Sequence, residues 1–117
     1  FRRMRRYLND RCSFVFDVKQ AVRAGKEPIE MCLAMGTRLI HIHLNDNNKT
    51  NDCLLPGQGT MDFRPIRALL EKNNYNGDVI IEVYRKSFGS IEELSKAKSV
   101  VDHFTSDEFL GKCLQPY

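Results

Sequence analysis

The chain has 117 residues and a mass of 13.6 kDa, with 42% hydrophobic and 28% charged residues and a mean hydropathy of −0.43, the proportions of a soluble globular domain with a single core. It contains no run of 18 apolar residues and no basic, apolar, small-residue leader, which excludes a membrane span and a signal peptide within these residues. The net charge of +3 is concentrated at the start, where Arg2, Arg3, Arg5, Arg6 and Arg11 against Asp10 leave the first eleven residues at +4 and the rest of the chain at −1.

That arginine-rich start reads either as a nucleic-acid arm or as a solvated amphipathic helix. Phe1, Met4 and Leu8 recur at helical spacing and leave the arginines on the other side, so the helix is the reading adopted. The first residue is Phe1 rather than Met, and residues upstream of it are expected to have been removed or never included. Four cysteines at positions 12, 32, 53 and 113 form no C-x-x-C pair, which argues against a zinc ribbon or a redox motif. Cys12 and Cys32 lie in apolar contexts and read as buried thiols, and hence as belonging to a reducing, cytoplasmic compartment.

Ser13–Asp17 (S-F-V-F-D) is rich in aromatic and β-branched residues and predicts a strand with a polar stop at Asp17. Glu27-Pro28 opens a helix of about two turns, with Ile29, Cys32 and Leu33 as its apolar stripe, Met35 as a further candidate, and Gly36 as its end. Arg38–Leu44 predicts a second strand, whose alternation puts Leu39, His41 and His43 on one face and Ile40, Ile42 and Leu44 on the other. Asn45 to Met61 is a polar stretch of about seventeen residues ending in Pro56-Gly57-Gln58-Gly59. It is long for a connection and marks a functional or disordered loop.

Asp62 can cap a helix with Phe63, Ile66, Leu69 and Leu70 on its buried side, and Asn73–Gly77 supplies the turn out of it. Val79–Tyr84 (V-I-I-E-V-Y) predicts a third strand, with Ile80 and Glu82 sharing one face. Ser90-x-x-Glu93 is a capping box before a helix carrying Ile91, Leu94, Val100, Val101 and Phe104, and a short helical turn is expected in the tail from Ser106 to Tyr117.

A helix followed by three strand–helix units calls for a parallel α/β sheet with right-handed crossovers. Three strands close no barrel, and a parallel sheet needs cover on both faces. The chain is therefore either a segment of a larger β/α structure or a unit that self-associates with another copy.

Asp17, His43 and Glu82 occupy corresponding places near the carboxyl ends of the three strands, the edge at which β/α barrels carry their active sites. Val15 shares a face with Asp17, His41 with His43 and Ile80 with Glu82, while the opposite face of each strand is apolar. One imidazole and two carboxylates suit a divalent ion such as Mn, Mg, Co or Zn. The same residues also admit a structural reading, in which Asp17 caps the following turn, His43 is a barrel histidine and Glu82 pairs with Arg85 or Lys86.

The segments F-V-F-D-V-K-Q-A-V-R-A-G, R-L-I-H-I-H-L-N-D, P-G-Q-G-T-M-D-F and N-Y-N-G-D-V-I-I-E-V-Y, in that order and spacing, resemble the carboxyl-terminal part of the xylose isomerase-like barrels. These include sugar and sugar-phosphate isomerases and epimerases and the endonuclease IV type. The resemblance implies a partial (β/α)8 TIM barrel over residues 1–117, the amino-terminal units being absent. It implies that Asp17, His43 and Glu82 are three of four ligands of one divalent metal, the fourth being a glutamate on an earlier strand. Glu82 is implied as a catalytic acid/base acting through an enediolate on a small-molecule sugar or sugar phosphate.

Two departures from the family pattern stand out. Where the family often has D-x-x-H, this chain has D-V-K-Q, which puts Gln20 in the place of a substrate-contacting histidine; Gln can hydrogen-bond a hydroxyl but cannot carry a proton. An arginine often found shortly after the strand-end histidine is also absent, and Lys49 is the nearest cation. Lys19, Gln20 and Lys49 are the candidate substrate contacts, with a solvated lysine as the plainer reading of Lys19. His41 reads as an inward residue one layer below His43. The two glycines of Pro56–Gly59 lack a nucleotide-loop pattern and fit a turn or, within the resemblance, a loop over the site. A nuclease needs several strand-end histidines, and with His103 on a helix it is the weaker reading, as is nucleic acid as a partner. A non-catalytic half-barrel that binds a polyol is the other alternative.

Overall fold

The computed structural model of the protein describes residues 1–105. A short helix, α1 (Met4–Tyr7), is followed by β1 (Phe14–Asp17), α2 (Val18–Arg23), α3 (Pro28–Met35), β2 (Leu39–Leu44), α4 (Arg64–Lys72), β3 (Asp78–Ile81) and α5 (Ile91–Thr105). The strands form one parallel sheet in the order β1-β2-β3, so the three strand–helix units read from the sequence are present. The tail from Ser106 to Tyr117 and the side chain of Phe104 lie outside the described residues.

One element was not anticipated. The polar stop at Asp17 is the N-cap of α2, its carboxylate accepting the Gln20 N–H at 3.0 Å, so the chain turns straight from strand to helix. The helix buries Val18, Lys19 and Ala21.

The core lies between the sheet and the helices on one side of it. Phe16 and Ile42 are partners across β1 and β2, and both are completely buried. Leu44, Met35 and Ile66 close around them at 1% exposure each. The helix stripes supply the cover: Cys32 and Met35 from α3, Ile66 and Leu70 from α4, and Val101 from α5. No described helix covers the other face of the sheet, and Val15 and Ile80 are 48% and 43% exposed there.

Three local expectations are corrected. Phe14 pairs with Leu39 but Val15 pairs with His41, so Ile40 is an extra residue in β2. This bulge turns Leu39 into the core and leaves Ile40 55% exposed, the reverse of simple alternation. The amino-terminal helix is a single turn in which Met4 is half-exposed; Phe1 and Leu8 flank it against the core, Phe1 meeting Phe14 edge-on at 5.1 Å. In α5 the core positions are Ala97 and Val101, while Ile91 is 79% exposed. Ser90 Oγ does accept the Glu93 N–H at 3.3 Å, and Glu93 answers at Gly89 N rather than at Ser90.

The stretch after β2 is ordered by a carboxylate. Asp46 is 2% exposed, and its two oxygens accept the N–H groups of Asn47, Gly57, Gly59 and Met61 at 2.8 to 3.0 Å. Its backbone pairs with Leu54 in both directions at 2.8 Å. Gly57 has φ +90°, and a Cβ on Gly59 would overlap the Asp46 carboxylate, so both glycines serve this hub. Four charge-assisted bonds to one buried group make Asp46→Ala expensive. Its expected cost is about 3 kcal/mol or more of unfolding free energy, checked by urea denaturation.

Cys32 and Cys53 are buried and Cys12 is half-buried, so the buried pair is Cys32 and Cys53 rather than Cys12 and Cys32. Burial pushes the Cys32 thiol up to about 11, which holds it in the unreactive thiol form. Iodoacetamide at pH 8 is expected to label Cys12 well before Cys32 in the folded protein, with the difference abolished in denaturant, as read by peptide mapping.

Candidate metal centre and its surroundings

Parallel pairing puts the strand ends side by side. Asp17 and His43 are register partners, His43 is opposite Ile80, and the Glu82 N–H continues the ladder to Leu44 O at 3.0 Å. With a period of two along each strand, Asp17, His43 and Glu82 emerge on the same face at the same edge. His43 Nδ1 lies 2.9 Å from Glu82 Oε2 and 3.8 Å from Asp17 Oδ2, and one ligand atom from each of the three residues falls within 4.8 Å of the others. It is the one such group of three among the described residues.

His43 and Glu82 are close enough to pair, and the cluster also carries the donor types of a ligand set. Glu82 Oε2 is buried and has no aligned hydrogen bond, although His43 Nδ1 approaches it so closely. Two donor atoms that each bind one ion at about 2.1 Å and at right angles lie about 3 Å apart; the His43–Glu82 pair has this spacing at 2.9 Å, while the Asp17 oxygen stands wider, 3.8 Å from His43. The Asp17 carboxylate divides its work: Oδ1 holds the Gln20 N–H at 3.0 Å, while Oδ2 faces His43. Capping thus fixes the orientation of this carboxylate. One nitrogen and carboxylate oxygens in this spacing fit a divalent cation. The cap of the structural reading is real, but Glu82 does not turn to Arg85 or Lys86. Arg85 donates to Phe88 O, and Lys86 lies over the Tyr84 ring.

Lys19 joins the cluster. It is 5% exposed, its Nζ lying 3.6 Å from Glu82 Oε2 and 5.0 Å from the centre of the Tyr84 ring, so the reading of a solvated lysine is corrected. Its place in the first turn of α2 carries it under the strand ends. Gln20 is exposed and contributes its backbone N–H to Asp17, and Lys49 is exposed in the loop. Among the described residues no hydrogen bond or ion pair draws either side chain to the cluster. His41 sits edge-on to His43, with ring centres 5.1 Å apart, in the layer below.

Beside the cluster stand residues that the sequence reading passed over. Arg23 Nε donates to Asp52 Oδ2 at 2.5 Å and its Nη1 to Tyr84 Oη at 3.1 Å. Bonding to Arg23 holds the Asp52 carboxyl below its ordinary value. The spacing of Tyr84 two residues after Glu82 on the same strand end was the available signal; Arg23 and Asp52 meet it only through the fold.

The comparisons with known proteins agree with this architecture. The family model described as xylose isomerase-like TIM barrel matches residues 1–106. The chain belongs to that family. A solved D-tagatose 3-epimerase-like protein shares its fold, with TM-score 0.67 and 24% identity over 88% of this chain and 37% of that one. An uncharacterised protein of Mycobacterium leprae is 32% identical over 82 residues, 68% of this chain and 29% of its own length. An inosose dehydratase of Clostridium botulinum is 31% identical over 86 residues, 58% of this chain and 29% of that protein, and one of Lacticaseibacillus casei is 26% identical over 80% of this chain and 38% of its own. This family member thus spans between a quarter and two-fifths of the length of these relatives. No described helix is long and apolar enough to cross a membrane.

The two roles of Asp17 separate by substitution. Asn caps helices as well as Asp does, so Asp17→Asn is expected to change stability by less than about 0.5 kcal/mol while weakening Mn²⁺ binding at least about tenfold. Asp17→Ala is expected to lose about 1 kcal/mol as well. Thermal unfolding and calorimetric Mn²⁺ titration read the two effects independently.

Proposed function

We propose that this chain is the carboxyl-terminal part of a metal-dependent isomerase or epimerase acting on a sugar or sugar phosphate. The observation that carries the reading is the cluster itself: Asp17, His43 and Glu82 at one sheet edge, with the buried Glu82 Oε2 left without an aligned hydrogen bond. Asp17 Oδ2, His43 Nδ1 and Glu82 Oε2 would hold the cation. When bound, a divalent ion supplies Lewis-acid stabilisation of negative charge on a substrate oxygen.

The chain's own residues do the rest. Glu82 is partly exposed at the edge, with its side chain 42% accessible, so its carboxylate can take a proton from a carbon beside the carbonyl and return it. Lys19 Nζ stands 3.6 Å from Glu82 Oε2 and fixes where that carboxylate lies. Val15 and Ile80 form an apolar floor below the strand ends. Their exposure here and the greater length of the relatives support a barrel completed by further strands of the same protein, one of which brings the second acid/base group. Self-association of this chain would cover the same face, and the mass of the native polypeptide and of its assembly in solution distinguishes the two.

Similarity to inosose dehydratases favours a second reading, loss of water from a polyhydroxylated ketone. It begins with the same proton removal and differs in the fate of the intermediate, which expels a neighbouring hydroxide instead of being reprotonated. The test is a panel of ketoses, their phosphates and cyclic keto-polyols in D₂O with Mn²⁺, using the polypeptide as its native source makes it. Deuterium at the reacting carbon of an isomer or epimer supports the first reading, and an unsaturated product supports the second. In either case Glu82→Gln is expected to lower turnover by about a thousandfold or more. Wild-type turnover in that variant would overturn both.

A further inference from the structure

A second pocket opens beside the cluster, with a volume of about 240 Å³, walled by Arg23, Asn51, Asp52, Tyr84, Lys86 and Ser87. The Asp52, Tyr84 and Asn51 oxygens each already take a donor from the protein. Asp52 takes the Arg23 guanidinium, Tyr84 Oη takes Arg23 Nη1, and Asn51 Oδ1 takes the Cys53 N–H. The Ser87 hydroxyl is directed to Cys53 O. What remains is donors: the Tyr84 hydroxyl hydrogen, the Asn51 amide hydrogens and the Lys86 ammonium, which is exposed and has no carboxylate partner among the described residues. Arg23 and Lys86 against Asp52 leave the walls at +1.

We propose that this pocket binds a phosphoryl group of the substrate. Only a ligand rich in acceptors can use a wall of donors, and a phosphate ester brings three terminal oxygens and a charge near −2. Lys86 supplies charge, and Tyr84 and Asn51 supply directed bonds. Arg23, held in place by Asp52, fixes the Tyr84 oxygen so that its hydrogen points elsewhere. The pocket is also wired to the cluster, because Lys19 touches both the Tyr84 ring and Glu82. A substrate anchored here would present its sugar end to the strand edge. This rests on the reading of that edge as the reaction centre and narrows its substrates to phosphorylated ones.

Inorganic phosphate is the probe, titrated into metal-free protein and followed by NMR of the Tyr84 ring, the Asn51 amide and the Lys86 side chain. Saturable shifts at all three are expected. Lys86→Gln and Tyr84→Phe should each weaken binding about tenfold, Lys72→Gln on the exposed end of α4 should leave it unchanged, and acetate should bind more weakly than phosphate. The proposal is overturned if phosphate leaves these signals unmoved, if neither pocket variant weakens it, or if acetate binds as tightly. A separate Mn²⁺ titration of the same samples reports on Asp17, His43 and Glu82. Mn²⁺ bound with no phosphate in the pocket refutes this inference alone; phosphate bound with no Mn²⁺ refutes the metal centre alone.

Discussion

The candidate site depends on the register of three parallel strands. A pleated strand sends successive side chains to opposite faces, so one residue of slip in any strand would bury its site residue among Phe16, Ile42 and Leu44 and push core residues into the mouth. The pairing of Asp17 with His43, and of Leu44 with the backbone of Glu82, prevents this. The bulge at Ile40 serves the same end. It lets Leu39 cover the core beside Phe14 while His41 and His43 keep phase with Val15 and Asp17.

The loop after the second strand is held by polar chemistry where a hydrophobic core is out of reach. Asp46 gathers four N–H groups, replacing the ladder that a helix or strand would have provided for them. The Asn45 side chain adds bonds to the carbonyls of Asp46 and Asp52. The predominantly polar stretch thereby becomes an ordered part of the wall, with its own Leu55 completely buried. It delivers Asp52 to Arg23 and Asn51 to the neighbourhood of Tyr84.

Charge balance then favours a cation at the strand edge. Asp17 and Glu82 bring two negative charges and Lys19 one positive, with the His43 ring between the carboxylates. A buried ammonium is costly unless paired, and Lys19 has both a carboxylate and an aromatic face. Lys19 answers one of the two carboxylate charges, and the remainder still favours a cation at the edge.

The amino-acid sequence by itself determined the order of the three strands and of the longer helices that follow them, and the carboxylate, imidazole and carboxylate at successive strand ends, because period and composition are local properties. Resemblance in four short segments was enough to name the family. The α2 helix escaped notice because one aspartate ends a strand and starts a helix, and Asp46 because nothing local separates a hub carboxylate from its polar neighbours. The bulge, the burial of Lys19, and the meeting of Arg23 and Asp52 at Tyr84 were decided by the tertiary structure alone. Each joins segments far apart in the chain, and which donor meets which acceptor is settled by packing that no window of sequence contains.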